Sequence, residues 1–275
     1  MAGYGHCVTI KDMRHRRFLN TRRKDKYMSD DKLSPAEQYC RERDERIESY
    51  KQDKKLTSMT DAYIKELAFA RYSANFSWLG RPIIQIPQDL MAMQEIIWSI
   101  QPDAIIETGI AHGGSLIFYA SMLELVGKGN VIGIDIDIRA HNRVEIEKHP
   151  FYKRITMLEG SSISQDVIDK VRSLINGDET VMVCLDSHHT HDHVLQELEL
   201  YAPLVTPGSY CIVSDTGIED LPPHMIIDRP WGKGNNPKTA VWEFLKHNGH
   251  FVIDKDIEAK ILLTAAPDGY LKCVR

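Results

Sequence analysis

From about residue 84 onward, short apolar runs alternate with stretches whose apolar residues recur at helical spacing. This alternation builds β-α-β units around a parallel sheet. IPQDLMAMQEIIWSI predicts a helix that stops ahead of Pro102, and AIIET (104–108) predicts a buried strand. SLIFYASMLELVG follows as a helix ending at Gly127, and NVIGID (130–135) as the second strand. A polar helix around 139–148, ITMLE (155–159), a helix SQDVIDKVRSLI (164–175), TVMVCLD (180–186), a helix through VLQELELY and SYCIVSD (209–215) complete five strands alternating with helices. Beyond them come a long loop from Thr216 to Asn236, a helix TAVWEFLKHNG, and three segments, HFVID, KILLTA and YLKCV, expected as antiparallel strands at one sheet edge. The fold class is α/β.

The first 71 residues differ, and the expected division is a basic, partly helical extension over 1–71 and a catalytic domain over 72–275. Residues 1–55 hold 15 Lys/Arg against 10 Asp/Glu, whereas the remainder holds 19 against 29. RHRRFLNTRRKDK could neutralise phosphates. The preferred reading is nevertheless a solvated extension without nucleic acid: Pro35 suits a first helical turn after Ser34, and AEQYCRERDERIESYKQDKK mixes both signs at helical spacing, as an exposed helix or a contact within a homo-oligomer would.

With 43% hydrophobic and 27% charged residues, the chain of 275 residues is too apolar for disorder. Its five scattered cysteines form no C-x-x-C pair, which argues against structural zinc and against a secreted disulfide scaffold. No run approaches the roughly 18 apolar residues of a membrane helix, and MAGYGHCVTIKDMRHRR lacks the apolar stretch of a signal peptide. A soluble, cytoplasmic protein without a membrane span is expected.

Chemistry in such a sheet belongs outside the carboxyl ends of the strands. IIETGIAHGGS places Glu107 at a strand end and Gly109, Gly113 and Gly114 before a helix opened by Ser115. Glycines let the backbone approach a ligand, and a helix N-terminus favours an anion. The loop lacks the GK[ST] of a phosphate loop and the spacing of a dinucleotide fingerprint. The acid ahead of it suits an ammonium or hydroxyl group, which S-adenosylmethionine carries. Asp135 follows Glu107 by 28 residues, one unit later, where an acid can accept ribose hydroxyls. Asp137 competes for this role. LEGSSIS supplies Gly160, Ser161 and Ser162 where an adenine edge would lie, although Ser162 or Ser164 could equally cap the next helix.

LDSHHTHDHV puts Asp186 at a strand terminus followed by His188, His189, His191 and His193, and IVSDTGIED puts Asp215 at the end of the next strand. Carboxylates on adjacent parallel strands can hold a hard divalent cation such as Mg²⁺. The histidines also admit a transition metal and hence a non-haem iron oxygenase. A solvated helix start is the third possibility.

Together, W78-L79-G80 followed by IPQDL, ETGIAHGGS, GIDID, EGSS, LDSHHTHDHV with ELELYAPLVTPGSY, and the SDT after the fifth strand resemble the cephalosporin hydroxylase (CmcI-like) family over roughly residues 72–275. The resemblance implies a class I S-adenosylmethionine-dependent methyltransferase fold, a mostly parallel Rossmann-like sheet with an antiparallel C-terminal edge. Macrolide-sugar and rhamnosyl O-methyltransferases are among the relatives. It further implies methyl transfer to a hydroxyl, with S-adenosylmethionine and Mg²⁺ as cofactors and a small-molecule or glycan acceptor. Carried over by position, Glu107, Gly109, Gly113 and Ser115 look like cofactor-loop residues, Asp135 like the ribose ligand and Ser161 like an adenine-side contact. Asp186 and Asp215 look like metal ligands, Asp186 also bordering the cofactor, and His189 looks like the base, with His188 its competitor. Where macrolide-sugar members have Glu-Asp, this chain has Ser214-Asp215. A hydroxyl is the weaker ligand, so extra water, Glu219 or a histidine would complete the coordination. Acceptor choice is expected from the segment Tyr72–Trp78 and from the loop carrying Trp231. Three classes follow: a methyltransferase, an iron oxygenase, and a binding module on the same fold.

Overall fold

The computed structural model describes residues 33–275. The basic stretch RHRRFLNTRRKDK lies outside the described residues. The chain divides into two compact units between Lys54 and Lys55. In the first, helix α1 (Pro35–Gln52) begins as its sequence predicts: Ser34 Oγ accepts the Glu37 amide at 3.3 Å, and Glu37 Oε2 accepts the Ser34 amide at 2.9 Å. This reciprocal cap satisfies two otherwise orphaned donors. Lys51 with Glu48 at 2.7 Å, and Arg41 with Glu45, continue the mixed-sign pattern along the helix.

The second unit opens with α2 (Lys54–Phe69), which starts at the boundary and has no buried residue. A short hairpin follows, β1 (Phe76–Trp78) and β2 (Arg81–Ile83), which the apolar pattern did not predict. Its two-residue turn sets both Leu79 and Gly80 at positive φ, +46° and +88°. That geometry matches the right-handed twist of the two strands. Trp78 packs on the Gly114–Val126 helix, since its ring meets Phe118 edge-on at 4.9 Å and its Nε1 donates to Ser121 Oγ at 3.0 Å.

The rest alternates as expected: α3 (Pro87–Ile100), β3 (Ala104–Thr108), α4 (Gly114–Val126), β4 (Asn130–Asp135), α5 (Ala140–Glu147), β5 (Ile155–Glu159), α6 (Gln165–Ser173), β6 (Val181–Leu185), α7 (His191–Tyr201), β7 (Tyr210–Val213), α8 (Pro237–His247), β8 (Phe251–Ile253), α9 (Lys255–Ile261) and β9 (Tyr270–Cys273). One seven-stranded sheet results, ordered β5-β4-β3-β6-β7-β9-β8. The strands β3 to β7 are parallel, and β9 runs antiparallel between β7 and β8. Alternation along β3 and β6 divides the core: Ile105, Met182 and Cys184 face the layer with Leu116 and Phe118, while Ile106, Val181 and Val183 face the layer with Leu198 and Val241.

KILLTA is a correction, because residues 260 and 261 end helix α9 and the rest is loop. Asp254 caps the helix by accepting the Asp256 amide, and Ile257 and Ile261, one turn apart, pack on the core. Leu262 then takes positive φ, +62°, which turns the chain toward β9. Helical spacing and a cap outweigh a short apolar run that reads as strand.

Strand order reverses between β3 and β6, the point where a cleft opens at the carboxyl edge of such a sheet. No helix among the described residues is long and apolar enough to cross a membrane.

Candidate active site

The glycine loop after β3 passes so close to the end of β6 that a Cβ on Gly109 would lie 2.0 Å from the Asp186 carbonyl oxygen. Gly109 also has φ +92°, so the position admits little else. A Cβ on Gly114 would strike Pro82 O at 2.2 Å, which packs the hairpin against the start of α4. The loop carbonyls are held from behind. Arg81 Nη2 donates to His112 O at 2.6 Å and to Asn142 Oδ1 at 3.0 Å, and Asn142 Nδ2 donates to Ala111 O at 2.9 Å.

Glu107 is buried, and Ser115 Oγ donates to its Oε2 at 2.7 Å. Burial pushes its carboxyl up to about 8 against that hydrogen bond. A carboxyl raised in the folded state keeps its proton more tightly there than in the unfolded chain. Its stabilising contribution is therefore complete below the ordinary value of 4.5 and lost as pH rises through about 8. Glu107→Gln, a neutral isostere, is expected to flatten the fall in melting temperature over that window and to raise it at the alkaline end, by about 2–4 °C per kcal/mol. Melts of the ligand-free protein across pH check this; an unchanged slope would mean that the carboxyl is already ionised.

At the end of β4, Asp135 Oδ2 accepts the amides of Ile110 at 2.8 Å and Ala111 at 3.2 Å, and Oδ1 accepts the Asp137 amide at 3.0 Å. Asp135 thus braces the glycine loop, whereas the Asp137 side chain stands exposed. Of about four acceptor positions on a carboxylate, one remains at Oδ1.

Beside the loop lies a cleft of about 290 Å³. Gly109, Ser115, Asp186, His189, Ser214 and Asp215 all line it, with Asp89 and Tyr270 completing the far wall. Glu107 lies behind Ser115, and Gly113 and Ser161 do not reach the lining. Ligand atoms of Asp186, His189 and Asp215 lie within 4.8 Å of one another. Enclosure, then the Asp215 and Glu107 charges, push the Asp186 carboxyl well above its usual range. Gln85 Nε2 donates to Asp186 Oδ2 at 3.3 Å. Asp215 adopts φ +55°, and its Oδ2 lies 3.4 Å from His189 Nε2.

The histidines separate. The His189 ring stands edge-on to Trp231 at 4.8 Å and His188 at 5.6 Å, so the long loop touches both, leaving His188 exposed and His189 half-buried. Burial, then His193 and His189, lower the His188 pKa. His191 contacts Thr239 Oγ1 at 2.8 Å, and His193 lies against Ser162 and Ser187. Only His189 joins the two aspartates, which gives two carboxylates and one imidazole. A non-haem iron facial triad has two histidines and one carboxylate, so the donor set does not favour the oxygenase reading. Glu219 is committed elsewhere, accepting from Gly234 N and Asn236 Nδ2. Ser164 occupies the N-cap position of α6 without a capping side-chain bond, and Ser162 points its hydroxyl at His193.

Sequence reading missed Asp89. It accepts from Tyr270 OH at 2.8 Å and from the Ala265 amide at 2.9 Å, and burial raises its carboxyl to about 6. Its partners stand 181 and 176 residues away, which no local pattern reveals.

A glycine loop at the strand-order reversal and a seventh strand inserted antiparallel define a class I methyltransferase. The family profile described as Rhamnosyl O-methyltransferase/CmcI matches residues 70–274, and the chain belongs to that family of S-adenosylmethionine-dependent O-methyltransferases. The chain is 27% identical over 207 residues to a rhamnosyl O-methyltransferase of Mycobacterium leprae, covering 73% of this chain and 86% of that protein. It is 29% identical over 216 residues to that of Mycobacterium tuberculosis, covering 73% and 81%. Among solved structures, an apo form of CmcI aligns with TM-score 0.53 and 18% identity over 74% of this chain and 77% of that one. A CmcI structure with Mg and SAM aligns at 0.51 and 19%, over 74% and 78%. These two likenesses establish the fold.

Proposed function

We propose that the protein methylates a hydroxyl of a carbohydrate, on a glycan, a sugar precursor or a sugar-bearing natural product, using S-adenosylmethionine and Mg²⁺. The observation that carries this reading is the set of charged groups in the cleft: among the described residues, three carboxylates, Asp89, Asp186 and Asp215, line it and no Lys or Arg does. Such a cleft suits cationic occupants, and a sulfonium with its ammonium group and a divalent cation are both cationic. The donor set fits as well, since hard oxygens beside open space suit Mg²⁺. The rhamnosyl O-methyltransferases among the relatives supply the carbohydrate class. Catalysis is assigned to residues 72–275, with 1–71 an extension. Cys184, Cys211 and Cys273 are buried thiols on the sheet, which agrees with a reducing cytoplasm.

When bound, the sulfonium supplies an electrophilic methyl group and the cation supplies Lewis acidity toward a hydroxyl oxygen. The chain's own groups then have three tasks. Ser115 and the glycine loop would hold the cofactor, with Glu107 fixing Ser115 from behind and Asp135 bracing the loop and offering its remaining acceptor position to the ribose, so that alignment lowers the barrier. Asp186 and Asp215 provide the anionic oxygens for the cation, Ser214 offers a weaker oxygen beside them, and Gln85 orients Asp186. His189 Nε2, facing Asp215, accepts the hydroxyl proton. Trp231 shields this end of the cleft from solvent.

Asp135→Ala removes one charge-assisted ribose contact and the brace of the loop. It is expected to weaken S-adenosylhomocysteine binding by about 10–100-fold. Isothermal titration of wild type and variant checks this; equal affinities would remove Asp135 from the cofactor site.

A further inference from the structure

His193, Glu197 and Tyr201 recur every fourth residue of α7 and so share one face. Glu197 and Tyr201 are fully buried. Polar groups on an inward face are costly unless they are bonded. Here they bond to two different strand-end turns. Tyr201 OH donates to Ser162 O at 2.8 Å in the turn after β5. Ser187 Oγ, in the turn after β6, donates to Glu197 Oε1 at 2.7 Å. His193 Nε2 stands between the turns, 3.1 Å from Ser162 Oγ, 3.2 Å from Ser187 Oγ and 3.5 Å from Glu197 Oε1.

With Ser187 Oγ donating to Glu197, the role of His193 follows from its tautomer. The single hydroxyl hydrogen of Ser187 goes to Glu197, so its contact with His193 is a hydrogen bond only if Nε2 carries a proton. That N–H then serves both serine oxygens beside the Glu197 carboxylate. The other carboxylate oxygen, Oε2, is buried without a hydrogen-bond partner. A buried acid left half-satisfied is difficult to explain by packing alone.

We propose that the His193–Glu197–Tyr201 stripe is a positioning device that locks the 160–162 turn to the 186–189 turn. This rests on the functional reading above, in which the second turn carries Asp186 and His189, together with the expectation from sequence that the first turn borders the adenine, although Ser161 itself does not reach the cleft lining. One helix then sets cofactor fit and base placement together. His193 and Glu197 are positioning residues: neither lines the cleft, and both act through Ser162 and Ser187.

The test compares His193→Leu with His193→Gln in the full chain, since the glutamine amide retains a donor for the serine oxygens. Ligand-free hydrogen exchange reads the lock. In His193→Leu both turns exchange faster, and His193→Gln restores them. S-adenosylhomocysteine affinity and turnover fall together in His193→Leu, by about 10–100-fold, the usual cost of losing an orienting partner, and the glutamine recovers most of both. A folded His193→Leu whose turns exchange as in wild type, or in which only one turn loosens, overturns the proposal. Should that variant not fold, Ser187→Ala replaces it. Loosening must then spread to the 160–162 turn, and a change confined to 186–190 is the contrary result. Failure of wild type to bind S-adenosylhomocysteine would instead sink the functional reading, which the ligand-free exchange does not depend on.

Discussion

Asp186→Asn is expected to lower methyl transfer by about 10²–10³-fold while leaving S-adenosylhomocysteine affinity much closer to wild type. The carboxylate stands at the junction of the site: its carbonyl oxygen touches the glycine loop, and its side chain shares the cleft with Asp215 and His189. Without a cation, enclosure and the neighbouring charges favour its protonated form. A divalent cation would favour the ionised form, and Asp186 and Asp215 would then hold it where it could supply Lewis acidity toward a hydroxyl. An amide is isosteric but neutral and a poorer ligand, so the loss should fall on turnover and on the Mg²⁺ concentration needed. Steady-state rates with methyl rhamnoside as acceptor, taken over a Mg²⁺ series, measure both. A variant with full turnover at low Mg²⁺ would take Asp186 out of the metal site.

His189→Ala is expected to slow the chemical step by about 10²–10⁴-fold, with little change in cofactor affinity. Its Nε2 faces Asp215 at 3.4 Å, and its ring is fixed by the edge contact with Trp231. An imidazole in hydrogen-bond reach of the acceptor hydroxyl is the usual choice for taking up its proton. His188→Ala is the internal control: its ring meets the same tryptophan, but its Nδ1 is engaged with Thr190 Oγ1 at 3.0 Å, and its side chain does not line the cleft. Single-turnover transfer between about pH 6 and pH 9 with saturating acceptor separates the two. A large loss in His188→Ala with a wild-type profile in His189→Ala would move the base. A loss of Mg²⁺ affinity in His189→Ala, without a change in the pH profile, would make His189 a third ligand.

The five parallel strands were legible because each is a short apolar run bounded by a helix with clear periodicity, as AIIET and NVIGID illustrate. The chemistry at their ends was legible for the same reason: a strand end is a fixed place, and Glu107, Asp135, Asp186 and Asp215 occupy such places. Elements set by distant partners were not legible. The hairpin strands have three residues each, too few for periodicity, and depend on packing against α4. KILLTA reads as strand in isolation but is claimed by the Asp254 cap and the Ile257–Ile261 stripe. The polar ladder of α7 shares one helix face at 193, 197 and 201, but its partners Ser162 and Ser187 lie on two other turns, which spacing along the helix does not reveal. Asp135 was placed correctly at its strand end, while its bonds to Ile110 and Ala111 show a brace that spacing alone does not reveal.

Cation-assisted transfer at the Asp186–Asp215 rim is read out by following labelled methyl from S-adenosylmethionine to methyl rhamnoside with wild-type protein in chelator, and again after Mg²⁺ is restored. Transfer is expected to fall to background in chelator and to return with Mg²⁺, while S-adenosylhomocysteine still binds in both conditions. Undiminished transfer in chelator would contradict cation assistance.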